Sequence, residues 1–403
     1  MENDKFKRQV RFILRFGRAL HGAGTPAHTL EGTMQEMCQV MNIKGSFVSQ
    51  PTAILSSFNN GEEEITKIER VEPMGVNLGR LSRIDLIARE VISNKISYEE
   101  GYAKLDEELN APDPFGKRVH VSYFLFSAVG FLILFGGTWG DLLASMAVGV
   151  LMGVMYILKP IGPAYQMYEA IAAVVASLAT YLLSQWIPGL NIGVVILSSL
   201  IIFMPGIFIT LAIAEIATQN LVSGTARLVG GVMTLLKLTF GVFIGSKIAS
   251  YFHFPSLDVS FESIPSWITY LTLPLTAFMS VVGFKVNRED WKWVTLAGVF
   301  GYLCSKSGAY FLGAELGMFF GGACIGAMSN IFARLKNKPS SIFQFPGMIL
   351  LVPGSVGYRS MNFLFERNVL GGLDTAFTMV ALAMSLVVGL FFGNLLIKPR
   401  SSL

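Results

Sequence analysis

Charge is what this chain has least of. Only 14% of its 403 residues are Asp, Glu, Lys or Arg, against 52% apolar residues, and the mean hydropathy is +0.55. An ordinary soluble domain carries about 25% charged residues, so a wholly water-soluble globule is excluded. Cysteine is scarce as well. Cys38, Cys304 and Cys324 form no CxxC and no other close spacing, which excludes a disulfide framework and a thiolate zinc site. No GxxxxGK[ST] loop and no GxGxxG is present, so nothing points to ATP as an energy source or to any bound cofactor. The net charge of +4 is too small and too evenly placed for a nucleic-acid partner. The start, Met1-Glu2-Asn3-Asp4-Lys5, has charge where a leader would need a short apolar core, so no cleaved signal peptide is expected.

The charge that exists is segregated. Residues 1–118 hold 16 basic and 17 acidic side chains, leaving 15 and 10 for the 285 that follow. This predicts a polar domain over 1–115 and a membrane part divided into 116–256 and 257–403. The polar part reads as α+β. Val10–Ala23 has helical apolar spacing closed by Gly24, and Thr25-Pro26 reads as an N-cap and first helical position for a helix to about Met41. Ser46–Phe58 is strand-like, Asn59-Asn60-Gly61 is a turn, and Glu64–Val71 is a second strand. Helices near Asn77–Ser93 and Ser97–Leu109 follow, and Asn110–Pro114 is the linker.

Ten apolar stretches come next, near Val119–Phe135, Leu142–Leu158, Met167–Trp186, Ile192–Ala214, Leu228–Phe252, Trp267–Phe284, Trp293–Ala309, Leu312–Phe332, Ile342–Phe365 and Leu373–Ile397. With the N-terminal domain in the cytosol beside Lys117-Arg118, ten basic residues fall inside: Lys159, Arg227, Lys285, Arg288, Lys292, Arg334, Lys336, Lys338, Lys398 and Arg400. Arg359 and Arg367 fall outside, with the acidic loop that carries Asp258 and Glu262.

An internal repeat organises these spans. Met204–Gly245 recurs 148 positions later: Pro205-Gly206 as Pro353-Gly354, Asn220 and Gly224 as Asn368 and Gly372, and Gly241, Phe243 and Gly245 as Gly389, Phe391 and Gly393. Five spans is an odd number, so the second copy must enter the bilayer from the opposite face. The fold class expected is an α-helical membrane protein of about ten transmembrane helices in two inverted five-helix repeats, with a small α+β N-terminal cytoplasmic domain. Paired Pro/Gly interruptions in two inverted halves point to a transporter with its site at the breaks.

Candidate substrate-binding residues are therefore Pro205, Gly206, Pro353 and Gly354, where broken helices expose backbone groups near the midplane. Asn220 and Asn368, each four residues before a glycine, are weaker candidates, since capping explains them equally well. Lys237, deep in the fifth apolar stretch, is a cavity candidate. Lys159 with Glu169, and Lys306 with Glu315, border corresponding connections and read as gating pairs, either glutamate able to take a coupling proton. In the polar domain His21, His28 and Glu31 could meet as an acid–base or metal cluster, but no third ligand is specified and no nucleophile motif accompanies them.

Phe16–His28 with Glu31, then Pro51–Ile54 with Ser56-Ser57-Phe58, resemble the N-terminal region of the threonine/serine exporter family. The resemblance continues through Met204-Pro205-Gly206 and Asn220–Leu228, and Leu351–Arg359 is similar to the family's second, shorter module. It implies a bacterial inner-membrane exporter of threonine and serine driven by proton motive force. Its partners would be a small amino-acid substrate, protons and the lipid bilayer, with no metal and no cofactor; whether it forms a homo-oligomer stays open. Split two-chain relatives are associated with succinate export, which keeps a dicarboxylate exporter as an alternative. A hydrolase role suggested for the family's N-terminal region is a second alternative.

Overall fold

The computed structural model describes residues 2–72, 75–159, 166–252 and 261–399. Asp258 and Arg400, named above, lie outside the described residues. The polar domain begins with α1 (Glu2–Gly22), whose residues Phe6, Val10, Ile13 and Phe16 are buried at helical spacing. Gly24 then turns the chain with φ +82° and a close approach to the Val76 backbone. Helix α2 (Ala27–Val40) follows, and here the expected cap shifts by one residue. Pro26 is the N-cap, with ψ 150°, and Thr25 is buried one position earlier without capping anything.

Ser46–Phe58 is not one strand. Strands β1 (Lys44–Gln50) and β2 (Ala53–Asn59) form a hairpin that turns at Pro51-Thr52, and β3 (Glu64–Arg70) completes an antiparallel sheet in the order β1-β2-β3. The proline lacks the N–H that a continuing ladder needs. Ile54, Ser56 and Phe58 alternate on the buried face. Helices α3 (Leu78–Ile92) and α4 (Tyr98–Asn110) close the domain, capped by the side chains of Asn77 and Ser97.

The apolar part contains α5 (Lys117–Leu134), α6 (Trp139–Ile157) and α7 (Tyr168–Leu183). A broken segment follows, α8 (Ile192–Ser199) with a 3-10 turn and α9 (Gly206–Ala217), then α10 (Leu221–Ser250). The second half has α11 (Ser266–Gly283), α12 (Trp291–Leu312), α13 (Ala314–Lys336), the broken pair α14 (Ser341–Ile349) and α15 (Gly354–Phe365), and α16 (Val369–Leu396). Among the described residues, six helices are long and apolar enough to cross a membrane, or eight if each bent pair counts as one span. Ten apolar segments stand where ten spans are expected, but among the described residues only six to eight of them qualify as spans. Helix α7 has only 16 residues, and α12 is made less apolar by Lys292 and Lys306.

The repeat is visible in backbone geometry. The bends are 52° and 41°, and Pro205 (φ −82°, ψ 33°) and Pro353 (φ −82°, ψ 36°) share one conformation. Gln219 and Arg367, also 148 apart, are both left-handed at φ 65° and 63°, each just before its asparagine. Gly241 and Gly245 let α10 press on the Ala170–Ser177 face of α7, as Gly389 and Gly393 let α16 press on the Phe319–Ala327 face of α13.

The two halves meet at their breaks. A Cβ on Gly206 would lie 3.1 Å from the Gly354 nitrogen, and one on Gly354 would lie 3.0 Å from the Gly206 Cα. Such a reciprocal contact is what a two-fold relation produces. From there α9 and α15 run to opposite ends of the bundle. Helix α10 begins beside the polar domain, where Ser223 and Arg227 bind the end of α9. Twenty residues later Lys247 lines a cavity shared with Glu366 and Arg367 at the end of α15. That separation is about 30 Å at 1.5 Å per residue.

Candidate functional site

A cavity of about 580 Å³ lies against both breaks, lined by Met204, Gly206, Ile207 and Phe208 on one side and Val352, Gly354 and Ser355 on the other. Its long wall is a stripe of α5: His120, Tyr123, Phe124, Ser127, Phe131 and Phe135. The spacing of three and four residues keeps these side chains on one helix face, and the stripe runs about 22 Å. Thr276, Met279 and Ser280 of α11, which packs alongside α5, also line the cavity. The polar domain covers one end with Gly22, Gly75, Val76, Asn77 and Arg80, beside Lys285. No carboxylate is among these lining residues.

The breaks bring two helix N-termini to this space, since Gly206 and Gly354 are the first residues of α9 and α15. The first N–H groups of a helix have no partner within it and carry the positive end of its dipole. Both sets therefore place donors beside this cavity.

A second cavity, about 850 Å³, opens at the far end and is lined by Tyr181, Asn191, Lys247, Tyr358, Arg359 and Glu366 among others. Along α15 the change from one cavity to the other takes only three residues, Ser355 to Tyr358. That is about 4.5 Å of helix rise. The partition also includes Phe135, whose ring lies 5.8 Å from the Arg359 guanidinium.

The expected charged pairs are regrouped. Glu169 does not pair with Lys159; its carboxylate accepts from Lys237 Nζ at 3.2 Å, and Lys237 also donates to the Gln166 carbonyl at 2.9 Å. Lys237 lies ten residues from both Arg227 and Lys247, so the pair sits midway along α10, not at a mouth. It faces neither cavity, and both side chains are about 30% exposed. Lys159 instead lies over the Tyr156 ring at 4.6 Å. Lys306 and Glu315 are both exposed, and among the described residues no ion pair joins them. Asn220 and Asn368 are helix N-caps outside both cavities. Asn368 accepts from the Gly371 amide at 3.0 Å, and Asn220 donates to the Thr218 carbonyl at 3.2 Å.

The structure also assembles a cluster that has no signature in local sequence. Glu215, near the end of α9, is fully buried. It accepts from Arg227 Nε and Nη2 at 3.1 Å each, from Ser223 Oγ at 3.0 Å and from the Ala27 amide at 3.0 Å. The last bond ties the N-terminus of α2 to the membrane part. His21, His28 and Glu31 stand around the same carboxylate. Burial lowers both histidine pKa values below 6.5, against the pull of Glu215. Burial raises that of Glu31 above 4.5, with Glu215 adding to the rise and the Ser49 amide opposing it. The His28 Nδ1 and Thr25 Oγ1 atoms are buried without a hydrogen-bond partner. Among the described residues no three His, Cys, Asp or Glu side chains converge as a metal site. The positions 148 further on are Phe363, Gly371 and Thr375, so this charged cluster has no counterpart in the second repeat.

Other links fasten the polar domain to the same end. The Leu78 amide donates to the Phe284 carbonyl at 2.9 Å, Arg83 to Asn287 Oδ1 at 2.6 Å, and Arg89 to the Asn337 carbonyl at 2.9 Å. In the linker, Asp113 pairs with Lys285 at 2.7 Å and with His120 at 3.4 Å. Burial alone would raise its pKa, but Lys285, the Phe115 amide and His120 outweigh that and hold it below 3.8.

Comparison with known proteins gives two matches in tandem. Residues 11–249 match a family described as "Putative threonine/serine exporter", and residues 270–396 match a second described as "Threonine/Serine exporter". Among curated proteins, the "Pheromone-regulated membrane protein 10" of Kluyveromyces lactis is 26% identical over 425 residues, covering 98% of this chain and 44% of that protein. Its namesake in Saccharomyces cerevisiae is 25% identical over 416 residues, covering 96% and 54%. The chain thus spans about half the length of the curated relatives it matches. No solved structure matches.

Proposed function

The chain belongs to the threonine/serine exporter family, and from that premise we propose that it is a secondary active exporter of small hydrophilic amino acids, threonine and serine, driven by the proton motive force. The cavity at the paired Pro-Gly breaks is its binding site. The observation that carries this reading is the convergence of two helix N-termini, at Gly206 and Gly354, on one cavity without a carboxylate. Free N–H groups there receive the substrate carboxylate. The carbonyls that end the preceding segments, near Ile201 and Ile349, and the rings of the α5 stripe suit the ammonium group. Ser127, Thr276 and Ser280 offer hydroxyl partners for a hydroxylated side chain.

Transport follows from alternating the partition between the two cavities. We read the ten segments as ten passes in two inverted halves, supported by the opposite directions of α9 and α15 from their contact. The end covered by the polar domain carries Lys159, Arg227, Lys285 and Arg288, which favours the cytosol for it. The chain is a multi-pass membrane protein; its bacterial inner-membrane placement rests on the sequence resemblance alone, since the curated relatives named above are fungal. The ion pair of Glu169 with Lys237 at mid-depth is our candidate for proton coupling, because a charge there needs a partner or an aqueous path. Glu315 and Lys306, exposed and apart, carry less of this role. We assign no enzymatic step to the polar domain: its histidines pack around Glu215, and among the described residues neither one hydrogen-bonds to a serine, threonine or cysteine side chain.

One observation favours a dicarboxylate as a second substrate class. The covered end adds the Arg80 guanidinium to the two helix N-termini, more positive character than a zwitterion needs. Counterflow in proteoliposomes with labelled threonine, serine and succinate, with and without a pH gradient, tests both. Threonine and serine exchange that responds to the gradient, and is uncoupled from it by Glu169→Gln, supports the leading reading. Exchange of succinate alone replaces it with the second, and exchange of none of the three ends both.

A further inference from the structure

The polar domain does more than cover the cavity, because one of its side chains reaches into it. Arg80, in the first turn of α3, lines the space that also touches Gly206 and Gly354. Its guanidinium is incompletely satisfied. Nη2 donates to the Ala111 carbonyl at 3.4 Å, a long bond, and Nε is buried without a hydrogen-bond partner. The buried Nε is closed to a solute, so the other guanidinium N–H groups, held by that one long bond alone, are the donors a ligand in the cavity can meet. The neighbouring acids are already engaged. Glu108 is held by both oxygens to Arg83 at 2.7 and 2.8 Å, and Asp113 is shared by Lys285 and His120.

The geometry points to Arg80 as the anion-reading residue of the cavity mouth, a residue that the soluble domain contributes to the transport site. Its ligand is a carboxylate, carried by an amino acid or a dicarboxylate, and the guanidinium matches that planar group better than an ammonium does. The reading rests on the proposed transport function and extends it. A solute entering at this end meets Arg80 first, then the N–H groups at the two breaks. The soluble domain is then a selectivity element in cis, and the neutral amide of the same amino acid is a poor substrate.

The test is counterflow by the full chain in proteoliposomes, using the labelled acids above and unlabelled threonine amide as competitor. Arg80→Gln is expected to raise the half-saturating concentration at least tenfold while the maximal rate stays within twofold. Arg80→Lys is expected to recover part of the affinity, and threonine amide to compete poorly against the wild type. If Arg80→Gln misfolds, Arg80→Lys with its retained charge carries the test. Unchanged affinity in a folded variant overturns the role of Arg80 and leaves the transport reading in place. A fall in maximal rate without loss of affinity also overturns it, because that marks a structural role. Counterflow of none of the three solutes by the wild type removes the transport reading itself, and this one with it.

Discussion

Replacing Glu215 by alanine would loosen the docking of α2 on the membrane part. The carboxylate has four hydrogen bonds and no exposure, and its loss strands three donors at once: the Arg227 guanidinium, the Ser223 hydroxyl and the Ala27 amide. Removing one member of a buried ion pair costs about 3–5 kcal/mol. The side chain of Arg227 is 16% exposed, so part of its charge is rehydrated and the lower half of that range applies, about 3–4 kcal/mol. Since about 1.4 kcal/mol is a factor of ten, the equilibrium between docked and released α2 moves by two to three orders of magnitude. Hydrogen exchange of the first amides of α2, in detergent or nanodiscs, reads that directly. Glu215→Gln keeps an acceptor and should cost about half as much. The double variant Glu215→Ala, Arg227→Ala should be less damaged than the sum of the single changes. Exchange at Ala27 within threefold of wild type in Glu215→Ala, or strict additivity in the double variant, would refute the view that this carboxylate is the tether.

Acidification should loosen the folded chain over a defined window. His21 and His28 titrate near 6.5 when unfolded and lower when buried. The unfolded chain therefore takes up protons first, so their contribution is full above about 6.5 and is lost as the pH falls toward the lowered values. Glu31 acts oppositely, its raised carboxyl binding a proton first in the folded chain and gaining stability as the pH falls toward 4.5. Melting temperature against pH should fall below pH 6.5 in the wild type and flatten in His28→Gln; an unaltered slope contradicts the assignment. At the breaks, Gly354→Val forces methyl groups against Gly206 and should cost about 1–3 kcal/mol and abolish counterflow, while Gly354→Ala only slows it. Wild-type flux in Gly354→Val would show that the close contact is not needed.

The two broken segments were legible because proline and glycine act locally: each sets its own backbone whatever surrounds it. The 148-residue repeat therefore anticipated two bends with matching dihedral angles. The N-cap named from the sequence for α2, Thr25, falls one residue short of the observed N-cap, Pro26. The split of Ser46–Phe58 is hard to read because alternation of side chains continues across the turn, and only Pro51 marks it. Pairing of charges was not legible. Glu169 prefers a lysine 68 residues on to the nearby Lys159, and Glu215 meets an amide 188 residues back. Neither separation leaves a periodic trace. Burial of Glu215 was hidden as well, because one acid at the end of a long apolar run looks like an interfacial residue.

The lopsided placement of the Glu215 cluster bears on how the molecule rests. If, as proposed, two halves related by a two-fold axis trade conformations, the two states would have equal energy, a degeneracy with no preferred side. Anchoring a soluble domain to one half alone lifts that degeneracy. Each kilocalorie of anchoring felt in one state only changes the ratio of states about fivefold, so on the proposed mechanism the chain would idle with a chosen door shut.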